Sequence, residues 1–126
     1  MYPLFPERFN MADYFLYHNL EEGRGDKVCL YYEDRKWTYG EVARLSNQTG
    51  NALRELGADI EDRVLLVLPD CPEFVWTWFG AARIGAVITM VNPLLPVGIT
   101  SITSTTHARK SRLFTSRCCR RLQKLR

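Results

Sequence analysis

Hydrophobic and polar positions are most densely patterned between residues 61 and 93, EDRVLLVLPDCPEFVWTWFGAARIGAVITMVNP. Residues 64–68 are an unbroken apolar run between charged residues and Pro69. That pattern predicts a strand covered on both faces, as in a parallel sheet. Asp70 then stands at a helix cap with Glu73 three residues on, the spacing of a capping box, and both acids suit a helix N-terminus. Phe74, Trp78, Ala81, Ala82 and Gly85 recur at helical spacing, and Val75, Trp76 and Phe79 are apolar too. A helix hydrophobic nearly all round is expected to be buried. Gly85 ends it, and 86–91 is a second apolar, largely β-branched run closed by Asn92-Pro93. The whole reads as a βαβ unit over 64–91, right-handed by default.

Upstream, a proline-punctuated aromatic lead-in over 2–9 suits lying on another surface. Asn10 opens a helix with Asp13 at the capping-box position; Met11, Tyr14, Phe15 and His18 mark its apolar face, which ends before Gly23-Arg24-Gly25-Asp26. Residues 27–32 and 36–39 are short strands across a Glu33-Asp34-Arg35 turn, a hairpin. Thr38 and Glu41 form a second capping box, followed by a helical stripe of Val42, Leu45, Thr49, Ala52, Leu53 and Leu56, with Gly57 as the natural C′ residue. The order helix, hairpin, helix, strand, helix, strand is an α/β beginning whose sheet wants more strands.

Charge changes the picture after Pro96. Of 126 residues, 1–97 hold 9 Lys/Arg and all 14 Asp/Glu, whereas 98–126 hold 8 Lys/Arg, nine Ser/Thr and no acid. The overall +3 describes neither part. The segment 98–126 has little apolar periodicity, cannot bury a face and is expected to be a disordered basic tail. Cys29, Cys71, Cys118 and Cys119 have neither metal-site nor disulfide-framework spacing, and no cleavable leader pattern opens the chain, so a cytoplasmic location is expected. No apolar run approaches the roughly 20 residues of a membrane span.

Thr38-Tyr39-Gly40-Glu41, then Gly57, Asp62-Arg63-Val64, Pro69, Pro72-Glu73-Phe74, Gly80-Ala81, Gly85-Ala86 and Asn92-Pro93 resemble, in order and spacing, the opening of the AMP-forming acyl-CoA synthetases. The resemblance covers most of 6–96. Within that adenylating superfamily, 10–26 is similar to the start of benzoate-CoA ligases and related aryl-acid ligases. It implies an incomplete N-terminal portion of the large α/β domain of an adenylate-forming ligase. It implies chemistry in two steps, adenylation of a carboxylic acid by ATP with Mg2+ and transfer of the acyl group to coenzyme A. The family holds phosphates on a Ser/Thr/Gly-rich loop, ribose on an acidic residue, and completes adenylation with a lysine on a mobile C-terminal domain. None of these has a counterpart in this sequence: 101–106 has the serines and threonines but lacks the glycines that let backbone N–H groups approach phosphates. No catalytic, cofactor-binding or metal residue is therefore assigned, and the resemblance implies a truncated ligase that is inactive alone.

The family would follow Asn92-Pro93 with an acidic, tyrosine-bearing helix. Regrouping permissible codons for 99–112 by one base spells such a helix, ending Thr-Arg-Ala-Lys-Val-Ala. A single-base frameshift near 96–98, making the tail an out-of-frame translation, is the expectation.

Sharper readings of single features weigh less than plainer ones. Asp70-Cys71-Pro72-Glu73 looks like an acid pair beside a nucleophile but reads better as a helix cap beside a buried thiol. His18 lacks an Asp, Ser or Cys partner in view and reads as a packing or surface residue. Trp76, Trp78 and Phe79 read as core rather than a stacking platform. Gly23 to Asp26 reads as a turn, not a phosphate loop. The basic tail keeps a second class open, a small nucleic-acid- or anion-binding protein, although neither recognition fold nor aromatic interleaving accompanies its cations. A third is a small α/β interaction module. The fragment, with buried-type strands short of neighbours, is expected to self-associate.

Overall fold

The structure, a computed structural model, describes residues 6–94 and, as backbone only, 111–115. A π-helix, Asp13–Tyr17, runs without a break into the four-residue α1, His18–Glu21. The hairpin β1, Val28–Tyr32, and β2, Arg35–Thr38, follows, then α2, Tyr39–Glu55. Next come β3, Arg63–Val67, α3, Pro72–Arg83, and β4, Val87–Met90, with β5, Ser111–Thr115, last. The order expected for 10–91 is the order found. β1 and β2 pair antiparallel, while β3 pairs in parallel with β4 on one side and β5 on the other.

Local chemistry accounts for the ends of the elements. At the start of α2 the Glu41 N–H donates to Thr38 Oγ1 at 3.2 Å and the Thr38 N–H donates to Glu41 Oε2 at 2.9 Å, so two otherwise orphaned donors are satisfied. Three helices stop in the same way, on Gly23, Gly57 and Gly85 with φ of 72°, 84° and 79°. After α2 the Gly57 N–H reaches Arg54 O at 2.8 Å and the Ala58 N–H reaches Leu53 O at 2.9 Å. After α3 the Gly85 and Ala86 N–H groups reach Ala82 O and Ala81 O at 3.1 and 3.0 Å. This double bond pattern needs a left-handed residue, which glycine adopts without a Cβ penalty.

Two clusters form the interior. Val64, Leu66 and Leu68 of the central strand region meet Leu53, Ala58, Ala81, Ile84 and Ala86, with Phe74, Trp78 and Ile88 against them. Leu16, Trp37, Val42 and Ala43 form the other, flanked by Tyr17, Leu20, Val75, Trp76 and Phe79. The aromatic residues of α3 therefore serve both clusters from half-buried positions, and the Trp37 and Trp76 ring centroids lie 6.0 Å apart.

Several expectations need correction. α3 is not buried all round: its fully buried positions are Pro72, Thr77, Gly80 and Ala81. Small residues sit there because α2 crosses α3 backbone to backbone, and a methyl group on Gly80 would stand 2.6 Å from Ser46 O. For the same reason α2 buries Ser46 and Gly50 in addition to Val42, Thr49 and Leu53, and leaves Leu56 exposed. The N-cap of α3 is Cys71 rather than Asp70, with no side-chain cap bond. Pro72 occupies the first helical position, which holds the residue before it extended, at φ −140° and ψ 161°. On the first helix Met11, Tyr14, Phe15 and His18 are exposed, and Ala12 and Leu16 are buried instead. Ala12 and Leu16 keep helical spacing, so the whole face is turned by one residue from the expected stripe, and within it the His18 N–H bonds Asp13 O in a π turn. Finally, Ser111–Thr115 lies inside the segment expected to be disordered and pairs with β3 from Arg63↔Ser111 to Val67↔Thr115. Strand pairing is a backbone interaction, so the open edge of β3 is satisfied without apolar periodicity in its partner. The rest of that segment lies outside the described residues.

Candidate functional site

A polar network between distant segments lies where the first helix meets the ends of α2 and α3. Asn10 begins it. Its Oδ1 accepts from the Ala12 N–H at 2.9 Å, while its Nδ2 donates to Ala82 O at 3.1 Å and Arg83 O at 3.3 Å, the last carbonyls of α3. One side chain thus caps the start of one helix and the end of another. Arg83, in the last turn of α3, pairs with Asp13 and lays its guanidinium over the Tyr17 ring, 3.8 Å from the centroid. The Tyr17 hydroxyl donates to Asn47 Oδ1 at 2.6 Å and lies 3.2 Å from Ala43 O. Burial raises the Tyr17 pKa and the Asp13 charge adds to this, with the Arg83 charge opposing.

Two clefts flank this network. One, of about 770 Å3, is open and lined in part by Pro6, Phe9, Tyr14, His18 and Arg83. The other, of about 300 Å3, lies along α2 beside Asn47, Gly50, Asn51 and Arg54. Phe9 and Tyr14 at the first cleft meet tilted at 5.4 Å between centroids, and Phe15 meets Tyr14 edge to face at 5.0 Å. The Asp13–Arg83 pair holds the first helix against the end of α3. The arrangement positions a segment; it contains no nucleophile next to a base.

The residues weighed from sequence are not brought together. His18 is exposed on α1, with Nδ1 and Nε2 at 3.5 and 3.4 Å from the Glu21 and Glu22 carboxylates. Cys71 is half-buried at the start of α3, where burial raises its thiol pKa; Cys29 is raised for the same reason in β1. Trp78 and Phe79 meet edge to face at 5.2 Å, packed on the two clusters. The Gly23 to Asp26 stretch is a helix stop. The Gly23 and Arg24 N–H groups bond Leu20 O and Asn19 O at 3.0 and 2.8 Å, and Gly25 O accepts from the Gly40 N–H at 2.9 Å. Backbone donors already used in this way do not fit a nucleotide phosphate. Residues 101–106 lie outside the described residues. Among the described residues no group of three His, Cys, Asp or Glu is arranged to hold a metal ion. The roles of Asn10 and Arg83 were missed because their partners are seventy-two and seventy residues away. The helix start that the sequence predicts at Asn10 is only half of its work, the local half.

The same arrangement of strands, hairpin and crossing helices is found in a solved anthranilate CoA ligase in complex with anthranoyl-AMP. The TM-score is 0.79 at 33% identity, over 88% of this chain and 21% of that one. The fold is thus similar to about a fifth of an acid–CoA ligase. The AMP-binding enzyme family matches residues 17–113, and the chain belongs to that family. A crotonobetaine/carnitine–CoA ligase of Salmonella paratyphi A is 38% identical over 85 residues, 64% of this chain and 16% of the relative. A 3-hydroxybenzoate/4-hydroxybenzoate–CoA ligase of Thauera aromatica is 37% identical over 86 residues, 68% of this chain and 16% of the relative. The chain therefore spans about a sixth of the length of these curated relatives. No helix among the described residues is long and apolar enough to cross a membrane.

Proposed function

We propose that this chain is the opening segment of an ATP-dependent carboxylic acid–CoA ligase acting on benzoate or a related aryl acid, and that alone it does not catalyse either step. The observation that carries the reading is the family match over 17–113, joined to relatives named for aryl acids, hydroxybenzoate and anthranilate, at 37% and 33% identity. Inactivity is supported by the sequence, which offers neither a glycine-bearing phosphate loop nor a lysine in the family's catalytic context. In the complete enzyme ATP, Mg2+ and coenzyme A would be held by segments this chain does not supply. The test is ATP–pyrophosphate exchange with the purified chain, Mg2+ and benzoate, 4-hydroxybenzoate or anthranilate. The expected result is exchange at the level of the blank. Acid-dependent exchange by the chain alone would make the inactivity reading wrong.

The charge break at residue 98 and the regrouped codons support reading 98–126 as an out-of-frame translation. The family match, which continues to residue 113, is the observation this reading has to survive. Sequencing the coding DNA across the break decides it: an adjacent frame that runs on into a phosphate loop supports the frameshift, and codons that do not regroup refute it.

A further inference from the structure

The basic segment 98–126 is a feature of the sequence that the ligase reading leaves without a role, and β5 lies within it. β5 pairs with β3 in parallel, in unbroken register from Arg63↔Ser111 to Val67↔Thr115. The bonds on the other side of β3 fix which groups serve that pairing. The Val87 N–H goes to Asp62 O at 2.8 Å and the Val91 N–H to Leu66 O at 2.9 Å. In a parallel ladder alternate residues use both backbone groups on the same side, so Val64 and Leu66 face β4, while Leu65 and Val67 turn their N–H and C=O groups to β5. Leu65 stands opposite Leu113, and its two slanted bonds go to the residues flanking that partner, Arg112 and Phe114.

The two parts joined in this way carry opposite charge. Residues 1–97 hold 9 Lys/Arg against 14 Asp/Glu, a net of −5, whereas 98–126 hold 8 Lys/Arg and no acid. The contrast is sharpest where the paired strands begin: Glu61-Asp62 lead into Arg63, and in sequence Arg109-Lys110 precede its partner Ser111. Asp59 and Glu61 are exposed in the turn before β3. Clustered cations attract a phosphate polyanion through counterion release, and clustered acids repel it within a Debye length, about 8 Å at physiological salt. A basic segment tied to β3 can take up such a polyanion only against the acidic body; released from β3, it takes it up without that cost.

We propose that β5 is a displaceable strand: its pairing with β3 and the binding of a phosphate polyanion by the basic segment compete. By linkage each weakens the other by the same factor. The strand is suited to release because its hold is five residues of backbone pairing, and a backbone pairing asks for no particular side chains in β5. The polyanion is recognised by its charge and not by its bases, since 98–126 contain one Phe and neither Trp nor Tyr to stack them. The proposal concerns the chain as it stands, whichever reading frame the segment came from. It rests on the β3–β5 pairing and not on the ligase reading, which the pyrophosphate exchange assay tests separately.

The test uses the full chain and a fluorescently labelled oligo-dT strand at low salt. When the oligonucleotide saturates the native chain, amide hydrogen exchange is expected to quicken at Leu65 and Val67, which face β5, and to stay unchanged at Val64 and Leu66, which face β4. Phe114→Pro removes an N–H that bonds β3 and leaves the charge of the chain unaltered. Fluorescence anisotropy is expected to show this variant binding the oligonucleotide about fivefold more tightly or better, the lower end of ordinary coupling between two sites. Its Leu65 and Val67 amides should already exchange fast and gain nothing from the oligonucleotide. Circular dichroism confirms that the variant is folded; if it is not, the exchange pattern of the native chain decides alone. Equal affinity of the folded variant and the native chain overturns the proposal. So does a native chain that fails to bind, one whose Leu65 and Val67 amides stay protected at saturation, or one in which all four amides quicken alike.

Discussion

Gly80 of α3 rests on Gly50 of α2 with so little space that a methyl group on Gly80 would meet Ser46 O at 2.6 Å and the Gly50 nitrogen at 3.0 Å. Both of those obstacles are backbone, which cannot rotate away. Gly80→Ala is expected to push the helices apart and cost about 1–3 kcal/mol, as overpacking of a close contact does. Urea unfolding followed by circular dichroism measures it. A midpoint within error of the native chain's would show that the crossing is looser than the structure places it.

Thr38→Ala removes the hydroxyl that receives the Glu41 N–H and leaves Glu41 capping alone. The expected loss is about 1 kcal/mol. Because both side chains belong to one box, adding Glu41→Ala to Thr38→Ala should cost less than the two single changes summed. A double-mutant cycle in urea reads this directly, and strict additivity would mean that the two bonds form independently of each other.

Asn10→Ala removes a cap shared by two helices, with its acceptor bonds to the first helix and its donor bonds to Ala82 O and Arg83 O. Its effect should be local before it is global. Hydrogen exchange is expected to rise over 10–21 by more than it rises in β3, since segment opening is governed by the contacts holding that segment. Equal acceleration everywhere would instead mean that the first helix unfolds only with the whole.

Stability should fall on the alkaline side. Burial raises the pKa values of Cys29, Cys71 and Tyr17, from ordinary values of 9.0 for the thiols and 10.0 for the phenol. In each case the neutral form is favoured in the folded chain, so between the unfolded and folded pKa values the folded state binds more protons. Stability is then constant below about pH 9 and declines above it. Ionisation of Tyr17 also removes the proton it donates to Asn47 Oδ1. Melting temperature measured from pH 7 upward should drop, and Tyr17→Phe should flatten the steepest part of the decline. A rise with pH would carry the wrong sign for all three groups.

What the sequence determined by itself is mostly local, the capping box of Thr38 and Glu41 and the glycine stops at 57 and 85, together with the hairpin and the parallel β3–α3–β4 unit, whose alternation of strand and helix patterns is written along the chain. The caps and stops follow from covalent neighbours, because a backbone donor finds its partner three to five residues away wherever the helix later packs. The family, too, was legible from 38–93, since its residues recur in fixed order along the chain. What only the tertiary structure decided concerns partners distant in sequence. No periodicity announces that Gly50 and Gly80 meet, that Ser46 is buried while Leu56 is exposed, or that Asn10 caps a helix seventy-two residues away. The cap of α3 passed from Asp70 to Cys71 because Pro72 outweighed the acidic spacing. Ser111–Thr115 became a strand because β3 had an open edge, a property of the sheet and not of those five residues. Close packing rewards whichever surfaces fit in space, and a one-dimensional pattern records which residues are apolar but not which backbones touch.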